Sequence, residues 1–499
     1  MRYHLLSIAV IAALAAAPFG GAVAQQPTPQ QSGSGLLDLL PGDAVSDHVL
    51  RRPSGDQPYT ATAGTLELRG QDGKVSAKIF YTAYTAKDAP AGRPVTFAFN
   101  GGPGAASAYL HLGLVGPRIL DFGGERGSTA PDGTRPALSD NPDSWLDFTD
   151  LVLIDPAGTG WSRVADKVSE AAYYGVRADA ESLAKFIALY LQKNGRSAAP
   201  KYLLGESYGG FRAAKVATAL KDSQGILVSG IVMLSPMIES RYIFGTGDPV
   251  GAALQLPSLA AAEMERKGAF SPESLQEAER FAMRDYLLAL AGAAPSGEEA
   301  DRLYARIAEM TGIGKDAVAR ARGFVGYIYT KDLEGAPDKI ASPYDAAYLA
   351  DDPYPETSDD RGADPILDGY TRAYGGAFAA YARDELKFST EMTYRLLDKD
   401  VNRRWDWNGA RSNVSATRDL RELLATIPSL RVMVAHGYSD AITPYGVSRY
   451  VIDHLPPPLA ADRVGLKLYR GGHMFYTDPG ERKAFTDQVR AFYTGTGKD

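Results

Sequence analysis

Six short apolar runs, separated by helical or polar stretches, constrain this chain more than any other feature. Val95–Phe99, Leu151–Ile154, Tyr202–Leu204, Ile231–Leu234, Arg431–Ala435 and Leu466–Tyr469 have the length and bounding of buried strands. Ala178–Leu191 and Phe211–Leu220 read as helices. Strand–helix alternation of this kind predicts an α/β fold with a central, mostly parallel sheet flanked by helices. Asp72-Gly73 lies between the alternating runs Thr65–Leu68 and Val75–Tyr84, a hairpin signal that adds an antiparallel edge. Strand signals thin out between Ser235 and about Arg403. There Ser271-Pro272-Glu273 reads as an N-cap, a first-turn proline and a first-turn acid. Leu303, Ile307 and Met310 fall on one helical face. Residues 236–403 are therefore expected to form a helical cap insertion over the sheet.

A chain of 499 residues with 45% hydrophobic content can bury a large core. The net charge is −7 with both signs dispersed, and no basic run points to nucleic acid, which is excluded as a partner. Residues 1–24 read as a signal peptide. Arg2 is the basic start, Leu5–Pro18 the apolar stretch and Ala22-Val23-Ala24 the small-residue cleavage site before Gln25. That stretch is short for a membrane span, so a periplasmic or secreted protein without stable membrane association is expected. Residues 25–45 open with the Pro-, Gln- and Gly-rich Gln25–Gly35 and read as a flexible linker before a main domain at 46–499. With no cysteine in the chain, a thiol nucleophile, a disulfide framework and a thiolate metal site are excluded.

Gly205-Glu206-Ser207-Tyr208-Gly209-Gly210 joins an apolar run to a helical one. Gly-x-Ser-x-Gly at such a junction sets a serine on a sharp elbow with its hydroxyl above the sheet. By itself the motif fits an ordinary turn serine equally well. A serine nucleophile also needs a base, and the base an orienting acid. Of six histidines, His436 and His473 stand at strand ends, while His111 reads as structural. His473 follows Gly471-Gly472 after the last expected strand, and Asp440 follows the strand before it. The order Ser207, Asp440, His473 is that of the α/β-hydrolase triad. Asn100-Gly101-Gly102-Pro103-Gly104 follows an early strand, where this fold supplies an oxyanion donor; Gly102 N–H and Tyr208 N–H are the expected pair. Trp145 and Trp161 read as core residues, with pocket lining as the other reading, and Trp405-Asp406-Trp407-Asn408-Gly409 as either a site loop or a surface turn.

Five motifs resemble, in order, those of the serine carboxypeptidase family in its bacterial branch. They are Asn100–Gly104, Asn141-Pro142-Asp143-Ser144-Trp145, Asp155-Pro156-Ala157-Gly158-Thr159-Gly160-Trp161-Ser162, Gly205–Gly210 and Gly472-His473-Met474. The resemblance implies an α/β-hydrolase fold with a helical insertion, and a serine-type carboxypeptidase that acts on peptides through an acyl-enzyme. It assigns Ser207 as nucleophile, His473 as base and Asp440 as orienting acid. It gives Gly102 and Tyr208 as oxyanion donors and calls for no metal or cofactor. It also implies that Asn100, Gly101 and Glu206 bind the substrate's terminal carboxylate.

The chain departs from that pattern at three points. The family's second carboxylate-binding acid is replaced by Leu114, and a tryptophan near the asparagine by Ala98; the family's disulfides cannot form. A lone ionised Glu206 would repel a terminal carboxylate. Either burial keeps Glu206 protonated, or another acid substitutes, or no free C-terminus is required. The same triad would serve an esterase, an acyltransferase or a broader serine peptidase. A catalytically silent binding module on the same fold is a reading of another class. The sequence does not fix side-chain preference or oligomeric state.

Overall fold

The computed structural model describes residues 35–87, 89–90, 92–120, 137–167, 169–244, 247–358 and 362–495. The expected signal peptide and residues 25–34 of the expected linker lie outside these. The rest of that linker carries structure: a 3-10 turn at Leu36–Leu39, then the first strand from Ala44. Leu40 is buried, so burial starts earlier than the polar composition of Gln25–Gly35 suggests.

In chain order the strands are β1 (Ala44–Leu50), β2 (Gln57–Arg69), β3 (Val75–Ala86), β4 (Val95–Phe99), β5 (Arg118–Leu120), β6 (Leu138–Asp140) and β7 (Asp150–Ile154). They continue with β8 (Arg163–Val164), β9 (Lys201–Glu206), β10 (Gly230–Leu234), β11 (Lys339–Ser342), β12 (Asp345–Asp351), β13 (Arg431–Gly437) and β14 (Val464–Tyr469). The main sheet runs β1-β2-β3-β7-β4-β9-β10-β13-β14, with β8 pairing β3. From β7 to β14 every pairing is parallel, while β1, β2 and β3 form the antiparallel edge. All six expected strands are present, but β14 is the edge strand and is buried only at Tyr469, so its expected burial is corrected. β4, β7 and β10 are buried at every residue, as a sheet covered on both faces requires.

One face of the sheet packs on helices Val176–Lys193 and Tyr208–Ala219. The second begins three residues earlier than the expected helix at Phe211, because the elbow itself opens it. Trp145 and Trp161 belong to the core on the other face. Between β10 and β13 the chain is mainly helical, with β11 and β12 as a small hairpin inside it. The expected N-cap is formed: the Ser271 hydroxyl accepts from Ser274 N–H at 3.1 Å. Ile307 and Met310 are buried and Leu303 packs beside them. The helix Pro365–Asp384 sinks Tyr374, Phe378 and Tyr381 into the same core as the sheet residues Phe80, Tyr84 and Leu153.

Candidate active site

The carboxyl ends of β4, β9, β13 and β14 lie along one edge of the parallel sheet, the edge where α/β folds build their sites. Ser207 follows β9 directly, with φ 61° and ψ −125°. A non-glycine residue is costly there, of order 1–3 kcal/mol, and the surrounding packing holds it in place. The flanking glycines are sterically required. A Cβ on Gly205 would fall 1.9 Å from the Gly209 carbonyl oxygen, and one on Gly209 would fall 2.5 Å from that of Phe99. The elbow therefore fits only without side chains at these two positions.

Four stretches bring the site together. Asp440 and His473 follow β13 and β14, and His473 Nδ1 hydrogen-bonds Asp440 Oδ2 at 2.9 Å. Asp440 Oδ1 accepts from the N–H groups of Ile442 and Thr443, and the Thr443 hydroxyl donates to Oδ2 at 2.7 Å. Burial pushes the Asp440 carboxyl up, but the field and hydrogen bond of His473, with the nearby His436, outweigh it and hold it at about 2. For His473, burial favours the neutral ring, yet Asp440 and Glu206 leave it above the ordinary histidine value. The His473 ring stands edge-on to Tyr344, with centroids 5.3 Å apart, and the His473 backbone N–H donates to the Tyr344 carbonyl at 2.6 Å. Ser207 and His473 line one cavity of about 510 Å³. No hydrogen bond joins their side chains among the described residues, a common state of such pairs before substrate aligns them.

Gly101 faces the elbow backbone to backbone, since a Cβ there would lie 2.6 Å from Tyr208 N, while a Cβ on Gly102 would meet its own loop at Gly104 N, 2.7 Å away. Among the described residues, neither Gly102 N–H nor Tyr208 N–H donates to another loop backbone group, and Tyr208 opens its helix, where N–H groups have no internal partner. Asn100 Nδ2 donates to Glu206 Oε2, and Tyr476 donates to Glu206 Oε1 at 2.9 Å. Burial raises the Glu206 carboxyl to about 7, against the pull of His473, Tyr476 and Asn100. Below that pH the group is neutral. Leu114 is fully buried in the core, and Glu206 is the only acid lining the cavity among the described residues. Among the described residues, then, no second acid lines the cavity beside Glu206.

Of the sequence-based candidates, Asn100, Gly101, Gly102, Glu206, Ser207 and His473 line the cavity, and Asp440 sits behind His473. The Tyr208 side chain turns away from it to accept a bond from Trp405 Nε1 at 3.1 Å. Trp405-Asp406-Trp407 is thereby a support of the site, since Trp407 also meets the Tyr208 ring edge-on. His111 is structural, as read: it bonds Tyr84 at 2.6 Å, and burial lowers it to about 3. His436 sits 3.9 Å from Asp440, too far for a hydrogen bond, and bonds Ser448 instead. Sequence reasoning missed Thr443, Tyr344 and Tyr476. Tyr476 alone had a cue, three residues after His473.

The sheet order and the elbow define an α/β hydrolase. Residues 55–464 match the serine carboxypeptidase family, and the chain belongs to that family. Serine carboxypeptidase-like 44 of Arabidopsis thaliana is 30% identical over 190 residues, 37% of this chain and 36% of that protein. A pheromone-processing carboxypeptidase of Phytophthora infestans is 27% identical over 217 residues, 40% of this chain and 31% of that protein. The matched stretch is thus a minority of each curated relative's own length. A solved structure of a prohormone-processing carboxypeptidase from Saccharomyces cerevisiae shares the fold at 17% identity and a TM-score of 0.54. The match covers 92% of this chain and 94% of that one.

Proposed function

We propose that this protein is an exported serine carboxypeptidase that releases C-terminal residues from peptides through an acyl-enzyme. One observation carries the reading: Ser207, His473 and a buried Glu206 bonded to Asn100 line a single cavity. Ser207 Oγ attacks the scissile carbonyl while His473 takes its proton. Asp440 holds the imidazole with Nδ1 protonated and favours the imidazolium that forms. The developing oxyanion lies between the Gly102 and Tyr208 N–H groups. His473 returns the proton to the leaving amine, and water then cleaves the Ser207 ester by the reverse roles.

The substrate's terminal carboxylate is received by Asn100, Gly101 N–H and the protonated Glu206. A neutral carboxyl donates a hydrogen bond where an ionised one would repel, so burial of one acid does part of what a pair of acids sharing a proton would do. Export rests on the N-terminal segment around Leu5–Pro18 and Ala22-Val23-Ala24. Among the described residues no helix is long and apolar enough to cross a membrane. A mature chain starting at Gln25, read by intact mass from the exporting host, is the expected product.

The test is an N-blocked peptide set, each peptide as free acid and as amide, followed by mass spectrometry. Stepwise loss of C-terminal residues from the free acids, slow or absent on the amides, is the expected result. Ser207→Ala should fold as the parent, lose labelling by a fluorophosphonate and lose turnover by about three orders of magnitude or more. Equal cleavage of the amides, or cleavage of simple esters alone, would move the activity to a broader peptidase or an esterase, the outcome Leu114 would then explain. Absence of Ser207 labelling would leave a binding module.

A further inference from the structure

The cavity wall opposite in charge to Glu206 has no counterpart in the mechanism above. Lys399, Arg403 and Arg411 all line it. Arg403 is paired with Asp400. Lys399 and Arg411 have no carboxylate partner among the described residues. Arg411 is held by rings instead: its guanidinium carbon lies 3.8 Å from the centroid of Phe244 and 5.1 Å from that of Trp407. A guanidinium held against rings can still offer its N–H groups to a planar anion. Phe244 lines the same cavity, and Trp407 abuts Tyr208, the residue after Ser207. So the cation is anchored beside the elbow by an aromatic pair.

The charge balance of the cavity then follows. With Glu206 neutral, the lining carries Lys399, Arg411 and the Arg403–Asp400 pair, and no free anion. A terminal carboxylate supplies one negative charge, and Asn100, Gly101 and Glu206 already account for it in the reading proposed above. Lys399 and Arg411 then remain as two cations that can attract a further anion. We infer that Arg411, with Lys399 lining the same cavity, selects peptides bearing an acidic side chain next to the scissile bond. This rests on the carboxypeptidase reading and adds a substrate class to it. Arg411 is a specificity residue here and takes no part in bond cleavage.

The experiment compares N-blocked dipeptides carrying Glu, Gln or Lys at either position flanking the scissile bond, as free acids and as amides, on the full mature chain. Glu and Gln have the same shape, so their ratio isolates charge. Wild type should favour Glu over Gln at one position by about tenfold or more in kcat/KM, the scale of a charge-assisted hydrogen bond. Arg411→Gln should bring that ratio to about one and leave the Gln peptide within about twofold, and Arg411→Glu should turn the preference toward Lys. A wild-type ratio near one at both positions would overturn the inference. So would an Arg411→Gln variant that loses activity equally on all peptides, or one that loses only the distinction between free acid and amide, since Arg411 would then hold the terminal carboxylate. If no peptide is cleaved, the carboxypeptidase reading fails by itself. Protection of Ser207 from a fluorophosphonate by the Glu but not the Gln dipeptide, lost in Arg411→Gln, still reads the anion site, and equal protection overturns it.

Discussion

Glu206 and His473 control each other's protons. Glu206 titrates at about 7, and His473 lies above its ordinary value partly because of the Glu206 carboxylate. The form that binds a free acid and attacks it needs Glu206 protonated and His473 neutral. The pair therefore titrates as a unit, and kcat/KM on free acids should pass through a narrow maximum near neutrality. On peptide amides the alkaline limb should be absent. Glu206→Gln should remove that limb on free acids too, and move the acid limb to lower pH, because His473 loses a carboxylate that raised it. Stability follows the same group with a definite sign. Its folded value of about 7 lies above the ordinary 4.5, so its contribution is complete below 4.5 and is lost as pH rises through 7. Urea unfolding should show wild type losing roughly 3 kcal/mol relative to Glu206→Gln across that window. Identical pH profiles for the two proteins would disprove the coupling.

Under the site, one buried ion pair ties three elements together. Arg212, on the helix after Ser207, bonds Asp179 Oδ2 at 2.6 Å and donates to the Asn100 carbonyl, with its guanidinium 4.9 Å from the Tyr208 ring centroid. The helix Val176–Lys193, the nucleophile elbow and the loop after β4 thus share one cation. Asp179→Ala leaves that cation buried and unpaired and should cost about 3–5 kcal/mol in chemical unfolding, with slower fluorophosphonate labelling of Ser207. Restoring the balance with Arg212→Met in the same chain should recover most of the stability; a cost for Asp179→Ala below about 1 kcal/mol would refute the tie. No sequence motif announces this pair. The strands were legible because burial on both faces writes short, mainly apolar runs, as in β4 and β10, and Ser207 was legible because its elbow demands glycines at 205 and 209. Tyr344 and Arg411 were not. Each reaches the site from a separate stretch whose approach is set by tertiary packing, and neither bears a local spacing rule.

The helical stretch between β10 and β13 was expected to sit over the sheet as one cap, yet its packing divides in two. The helices Pro249–Arg266 and Gly297–Thr311 close around Leu256, Tyr286 and Ile307, a core apart from the sheet. The helix Pro365–Asp384 instead completes the sheet's own core: Tyr381 bonds Tyr84 at 3.0 Å, and Phe378 packs on His111 with centroids 5.0 Å apart. The two segments are therefore expected to lose structure separately, although the first also meets Leu468 of β14 and pairs Glu265 with Arg470. Phe378→Ala should cost about 3–5 kcal/mol and Ile307→Ala about 2–5, similar losses at different places. Hydrogen exchange separates them. In Phe378→Ala, protection should fall in β4, β7 and β9 together with Pro365–Asp384, because they share one cooperative unit. In Ile307→Ala the loss should stay within 249–330, leave β9 protected and leave fluorophosphonate labelling of Ser207 near the parent rate. Exchange that spreads to β9 in both variants would mean a single cooperative unit. The cap core could then not move independently of the sheet that carries the nucleophile.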